Sequence, residues 1–112
     1  MDRPVDSLSD AMRALSGAQG GEPVRLIFSW ARLRAAGIGY AMAVTAKARA
    51  AHPHVPVLSV LDAGEDAGLA LAALKSGADL VLFSGQAQTA GKLSQIARQL
   101  GVGLDNSGAA SS

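Results

Sequence analysis

The chain has 112 residues, a length that corresponds to one small domain and excludes a multidomain enzyme. Hydrophobic residues make up 49% of it and charged residues 17%, a composition that predicts a packed core and excludes a disordered chain. The net charge of +1 excludes a broad basic surface, so no nucleic-acid partner is expected.

The sequence contains no cysteine, which removes disulfides, thiolate nucleophiles and cysteine-containing metal sites and favours the cytoplasm. The first residues lack the apolar core of a signal peptide, and the longest apolar runs are far shorter than the ~20 residues of a membrane span. We therefore expect a cytoplasmic, bacterial protein with no membrane partner, no cofactor and no metal.

Three short apolar runs predict strands that are covered on both faces, because they are nearly continuous in Val, Leu, Ile and Phe. They are Val24 to Phe28, Val55 to Leu61 and Leu80 to Phe83. Helices are predicted before, between and after these strands from capping residues and from the Pro or Gly breakers that follow. They cover about residues 6–16, 37–51, 66–76 and 90–100.

The element order α-β-α-β-α-β-α predicts an α/β fold with a small three-stranded parallel sheet, joined by right-handed crossovers in the strand order 1-2-3. We expect the two middle helices on one face of the sheet and the two terminal helices on the other. Leu58, Val60, Val81 and Phe83 should then be enclosed. Residues 1–104 form the domain, and residues 1–4, 20–21 and the 105–112 tail are expected to be disordered.

The helices carry unusually little charge. Residues 67–74 read AGLALAAL, and the helix before them has only Lys47 and Arg49 as charged residues. A helix that is apolar all round is usually buried all round, which indicates a second copy of the chain as cover. The alternative is that alanine exposes little surface and simply favours a helix. The candidate interface residues are Met42, Ala67, Ala70, Leu71 and Leu74.

Two segments resemble the later half of a response-regulator receiver domain. They are RAAHPHVPVLSV at residues 49–60 and AALKSGADLVL at residues 72–82. The resemblance covers roughly residues 26–100 and implies a truncated, receiver-like or flavodoxin-like scaffold. Ser29, Leu61 and Ser84 stand where the family has its phosphoacceptor Asp, its Thr or Ser and its Lys. The resemblance therefore implies a module that works without phosphorylation.

Ligands of open parallel sheets bind at the carboxyl ends of the strands. The candidate ligand-binding residues in the loops at these ends are Ser29, Trp30, Arg32, Asp62, Glu65, Ser84 and Gly85. The alternative explanation of the polar residues among them is that they cap helices or form ion pairs between the loops. Gly85 has the further alternative of cradling a phosphate on free backbone N–H groups. His52 and His54 flank Pro53 at the opposite end of the sheet and predict a solvated loop.

These patterns favour a non-enzymatic small α/β subunit that acts through self-association or within a larger assembly. The alternative is a receiver-like module that binds a small ligand or a signalling partner at the strand carboxyl ends. No pattern in the sequence predicts a catalytic residue.

Overall fold

The computed structural model describes residues 2–18 and 21–106. The helices are α1 (Leu8–Ser16), α2 (Trp30–Ala36), α3 (Ile38–Ala51), α4 (Ala67–Lys75) and α5 (Ala87–Leu100). The strands are β1 (Asp2–Pro4), β2 (Val24–Phe28), β3 (Val57–Asp62), β4 (Leu80–Leu82) and β5 (Gly103–Asp105).

The sheet is entirely parallel, in the order β1-β2-β3-β4-β5. The predicted α/β class and the order of the three central strands are confirmed, but the predicted number of three strands is wrong. Two edge strands of three residues were missed. Asp2–Pro4 and Asp105, both assigned to disordered termini, belong to these strands. The remainder of the tail, residues 107–112, lies outside the described residues, as do residues 1, 19 and 20.

All five helices pack on one face of the sheet. Side chains of alternate residues point to opposite faces of a strand, and Val24, Leu26 and Phe28 on β2 are buried whereas Arg25 and Ile27 are half-buried. The buried parity belongs to one core cluster to which every helix contributes. The expected cover on both faces is therefore wrong.

The missed edge strands explain this difference. Because β1 and β5 extend the sheet in sequence order, the terminal helices α1 and α5 are themselves crossovers. Right-handed crossovers that all step in one direction place every connecting helix on the same face. The (β/α)8 barrel has the same connectivity, with one helical layer outside the sheet.

Helix α2 was also missed by the sequence patterns. Ser29 begins it, with its Oγ accepting a hydrogen bond from the Arg32 N–H at 3.1 Å. Gly37 separates α2 from α3 at a φ of 92°, a conformation that other residues rarely adopt. The predicted helix over residues 37–51 is otherwise present as α3.

A polar cluster at the amino ends of β3 and β4 ties α3 to the sheet. Asp79 Oδ2 accepts hydrogen bonds from Arg49 Nη2 at 2.7 Å, from Ser59 N at 2.8 Å and from Ser59 Oγ at 3.1 Å. Arg49 also donates to the Val57 carbonyl through Nε at 3.1 Å and through Nη2 at 2.8 Å. Ser59 is fully buried on the helical side of the sheet, so Asp79 supplies the partner that its polar groups require.

Candidate functional site

The predicted ligand-binding residues do meet at the carboxyl edge of the sheet. Ser29 follows β2, Asp62 ends β3, and Ser84 follows β4 by two residues. The loops touch at Gly64, whose carbonyl accepts a hydrogen bond from Ser84 N at 2.7 Å. A Cβ atom on Gly64 would lie 3.3 Å from Trp30 Cδ1. The loop after β3 thus joins the loops that follow β2 and β4.

The two arginines at this edge are paired within the chain. Arg34 Nη1 lies 3.4 Å from Asp66 Oδ2, and the Arg34 guanidinium stacks 5.3 Å from the centroid of the Trp30 ring. This confirms the expected pairing between the first and second loops. Arg32 pairs instead with Asp6, with 3.6 Å between Nε and Oδ1. Exposed pairs of this kind contribute about 0–1 kcal/mol each.

The carboxylates of the second loop shape the backbone. Asp66 is the N-cap of α4, its Oδ1 accepting from Leu69 N at 2.9 Å, and Asp62 Oδ1 accepts from Gly64 N at 3.0 Å. Ser29 caps α2 in the same way. Capping therefore accounts for Ser29 and Asp66. Glu65 is exposed, and Gln86, which begins α5, makes no side-chain cap bond.

Removing this cap gives a direct test. We expect Asp66→Ala to lower the free energy of unfolding by about 1 kcal/mol, because the Leu69 N–H and the start of α4 lose their acceptor. Glu65→Ala is the matched control and should change stability by less than about 0.5 kcal/mol. Urea unfolding followed by circular dichroism measures both, and equal losses in the two variants would contradict the capping role.

Gly85 is explained by close packing. A Cβ atom at this position would lie 2.4 Å from Cζ of the Phe83 ring. The chain turns over a core aromatic residue here, and only glycine leaves room for the ring. This steric reason accounts for the glycine without a bound phosphate.

The candidate interface residues on α3 and α4 fall into two groups. Ala70 and Leu74 are 0% and 1% exposed, so these two side chains lie in the core of the chain and offer no surface to a partner. Met42, Ala67 and Leu71 are half-buried against the same core. The outward side of α4 carries Gly68 and Ala72, as the alternative of a tolerated alanine-rich surface predicts.

The sequence patterns missed a second candidate surface, the uncovered side of the sheet, which we term the open face. Five apolar side chains occupy its centre: Ile27, Leu58, Val60, Leu80 and Leu82. None of them belongs to the core cluster or to the residues packed against it. Leu58 is 37% exposed, although it was expected to be enclosed. Val60 is 0% exposed, as expected, and offers no surface to a partner; Ile27 and Leu80 are level with it on the neighbouring strands.

Charged residues border the open face at both ends of the strands. Asp2 and Arg25 lie at the amino end, with 3.4 Å between Arg25 Nε and Asp2 Oδ1. Asp62 and Asp105 lie at the carboxyl end, both level with Leu82. The one signal for this face in the sequence is Arg25, a charged residue inside the otherwise apolar run of β2.

The described residues form no group of three or more His, Asp and Glu side chains placed to hold a metal ion. Within the same part of the chain, no helix has the length and apolarity needed to cross a membrane. A groove of about 250 Å³ at the edge of the sheet is lined by Arg3, Pro4, Asp10, Arg13, Ala14 and Gly17. None of the residues predicted for the site lines it.

Comparisons of the sequence with protein-family models and with curated proteins give no match.

Proposed function

We propose that this chain is a small, non-enzymatic cytoplasmic subunit that acts by assembling with protein through its open face. The observation that carries the proposal is the single helical layer, which leaves Ile27, Leu58, Leu80 and Leu82 outside the core. The cytoplasmic assignment is supported by the absence of cysteine.

The physical argument starts from the sheet. Purely parallel sheets occur almost always with both faces covered, and their strands are correspondingly apolar on both sides. Here the helices cover one side, and the other presents contiguous leucine and isoleucine side chains framed by charged residues. An apolar patch with a polar rim is typical of a surface that another protein covers.

This surface replaces the helix surface that the sequence favoured. The open face carries larger apolar side chains than the outward side of α4, where Gly68 and Ala72 lie. Removal of apolar area from water stabilises an assembly by about 25 cal/mol per Å² before the entropy of association is subtracted. Leucine and isoleucine therefore contribute far more than glycine and alanine.

The test is the effect of a charge placed on the open face. We expect the wild-type chain to migrate in size-exclusion chromatography as a species larger than its 11.3 kDa monomer, either when purified and concentrated or in an extract of its own cells. Leu58→Lys should release the monomer, because the buried ammonium group would be unpaired.

Leu100→Lys is the matched control. Leu100 is 48% exposed on α5, outside the open face, and this variant should keep the wild-type elution volume. A wild-type monomer in both preparations would overturn the proposal. So would a Leu58→Lys variant that elutes with the wild type.

A second candidate function is a receiver-like module that binds a small ligand or a signalling partner at the carboxyl edge. Trp30 favours it, since this indole is 43% exposed beside Arg34 and between the loops that follow β2 and β3. The resemblance to receiver domains supports it as well. The two arginines of the carboxyl edge are, however, already paired within the chain, as Arg34 is with Asp66. A ligand of this edge should change the Trp30 fluorescence, whereas a partner on the open face should leave it unchanged.

A further inference from the structure

We propose that α2 is a hinged lid over the carboxyl edge of the sheet, and that it opens as a unit while the rest of the chain stays folded. Residues 30–36 are termed the lid. Few contacts hold the lid, a glycine joins it to α3, and its closed position leaves a buried donor without an acceptor. The lid lies at the carboxyl edge, so its opening is independent of the assembly proposed for the open face.

The lid has the fewest buried side chains among the helices that the structure describes. Leu33 is the single buried residue of its seven, whereas every other described helix has two or more. A segment with few buried apolar contacts opens locally at a lower free energy than the core of a domain. The lid is therefore the helix that should leave the fold first.

Two ion pairs tie the lid to the neighbouring loops. Arg32 lies 3.6 Å from Asp6, and Arg34 lies 3.4 Å from Asp66. In each pair, one of the two side chains is more than half exposed. Because solvent screens exposed pairs, they stabilise the closed lid only weakly.

The closed position also has a cost. Arg32 Nε is buried and has no hydrogen-bond partner among the described residues. The Asp6 Oδ1 atom, at 3.6 Å, is farther away than a hydrogen bond allows. A buried donor without an acceptor is unfavourable, because it has lost its hydrogen bonds to water. Opening exposes Nε to solvent and removes this cost.

Gly37 joins the lid to α3 and serves as its hinge. It is the one residue between the two helices and has a φ of 92°, a region that glycine adopts readily. No side chain caps the start of α3, and the hydrogen bond from Ala41 N to the Gly37 carbonyl is long, at 3.5 Å. Residues at the ends of elements absorb the φ and ψ changes of hinge motions. The lid can therefore move about Gly37 while α3 stays intact.

Opening of the lid changes the carboxyl edge of the sheet. Gly64, in the loop after β3, lies against Trp30, and Leu33 fills a place in the core cluster. When the lid opens, Trp30 leaves Gly64 and the apolar site of Leu33 becomes accessible. The lid therefore controls access to the edge at which ligands of open parallel sheets bind.

Native-state hydrogen exchange of the full chain, followed by NMR, tests the lid directly. A detached helix of seven residues is unstable in water, so its amides become exposed on opening. After correction for intrinsic rates, the amides of residues 33–37 should exchange at least about 100-fold faster than the slowest amides of α3, all with one opening constant. Urea below the unfolding transition should speed exchange in α3 and leave the lid unchanged, since opening exposes little surface.

Two glycine variants distinguish opening of the lid from global unfolding. Ala35 on the lid and Ala46 on α3 are both exposed. Ala35→Gly should speed exchange of the lid amides about fivefold, because glycine disfavours the helix that only the closed state contains. Ala46→Gly is the matched control. It should speed exchange in α3 by a similar factor and leave the lid amides unchanged, because α3 is folded whether the lid is open or closed. Circular dichroism shows that each variant is folded.

Three results would overturn the lid. Protection of residues 33–37 equal to that of α3 means that they open only when the whole chain unfolds. Protection that falls steadily toward Gly37 means that the helix frays from its end. A fivefold effect of Ala46→Gly on the lid amides means that the two helices open together.

Discussion

Phe83→Ala should lower the free energy of unfolding by about 3–5 kcal/mol, the range measured for large aromatic residues removed from a core. Phe83 is 2% exposed, and the turn at Gly85 closes over its ring. The substitution removes the transfer free energy of the ring and leaves a cavity that the turn above it cannot fill. Since a small domain has about 5–15 kcal/mol of stability, this loss is a large fraction of the total.

Leu82→Ala is the matched control, one residue earlier in the chain. Leu82 lies on the open face, outside the core, so its truncation should lower the unfolding free energy by less than about 1.5 kcal/mol. Urea unfolding of both variants at low protein concentration measures the difference. Equal losses at the two positions would mean that the sheet is covered on both sides within one chain.

The central elements of the fold were predictable because their signals are local. The apolar runs place β2, β3 and β4 within two residues of their observed bounds, and Gly77 and Gly101 mark the ends of two predicted helices. The edge strands carry no such signal. Asp-Arg-Pro and Gly-Leu-Asp become strands because β2 and β4 offer unpaired backbone groups, a condition that depends on the assembled sheet.

Because the edge strands were missed, the open face was missed as well. A three-stranded sheet leaves its terminal helices free to pack on either side, whereas two further strands turn these helices into crossovers with a fixed side. The parity of Ser59 added to the difficulty. It is a polar residue that faces the core, and exposed Leu58 beside it faces outward, which reverses the usual alternation.

At the carboxyl edge, sequence reasoning identified which loops converge, because topology alone brings the ends of parallel strands together. It also anticipated the capping role of Asp66, which follows from local chemistry. It did not anticipate Asp79. No local pattern indicates its role, because the partners of the carboxylate are 20 and 30 residues away in the chain.

Asp79→Ala should lower the free energy of unfolding by about 2–3 kcal/mol. Ser59 is fully buried, and its N–H and hydroxyl group both donate to the Asp79 carboxylate. Truncation leaves the N–H of this buried residue without its acceptor. The loss of the Arg49 contact adds less, because the Arg49 and Asp79 side chains are 45% and 36% exposed and solvent screens their attraction.

Asp79→Asn separates these two contributions. The amide oxygen still accepts from Ser59, so this variant should lose only about 1 kcal/mol, mainly from the weakened contact with Arg49. A double-mutant cycle with Arg49→Ala should give a coupling energy of about 0.5–1 kcal/mol. If Asp79→Asn were as damaging as Asp79→Ala, the charge rather than the satisfied Ser59 amide would hold β3, β4 and α3 together. In that event salt should destabilise the wild type and spare the two variants, because screening acts on the ion pair and leaves the buried hydrogen bonds in place.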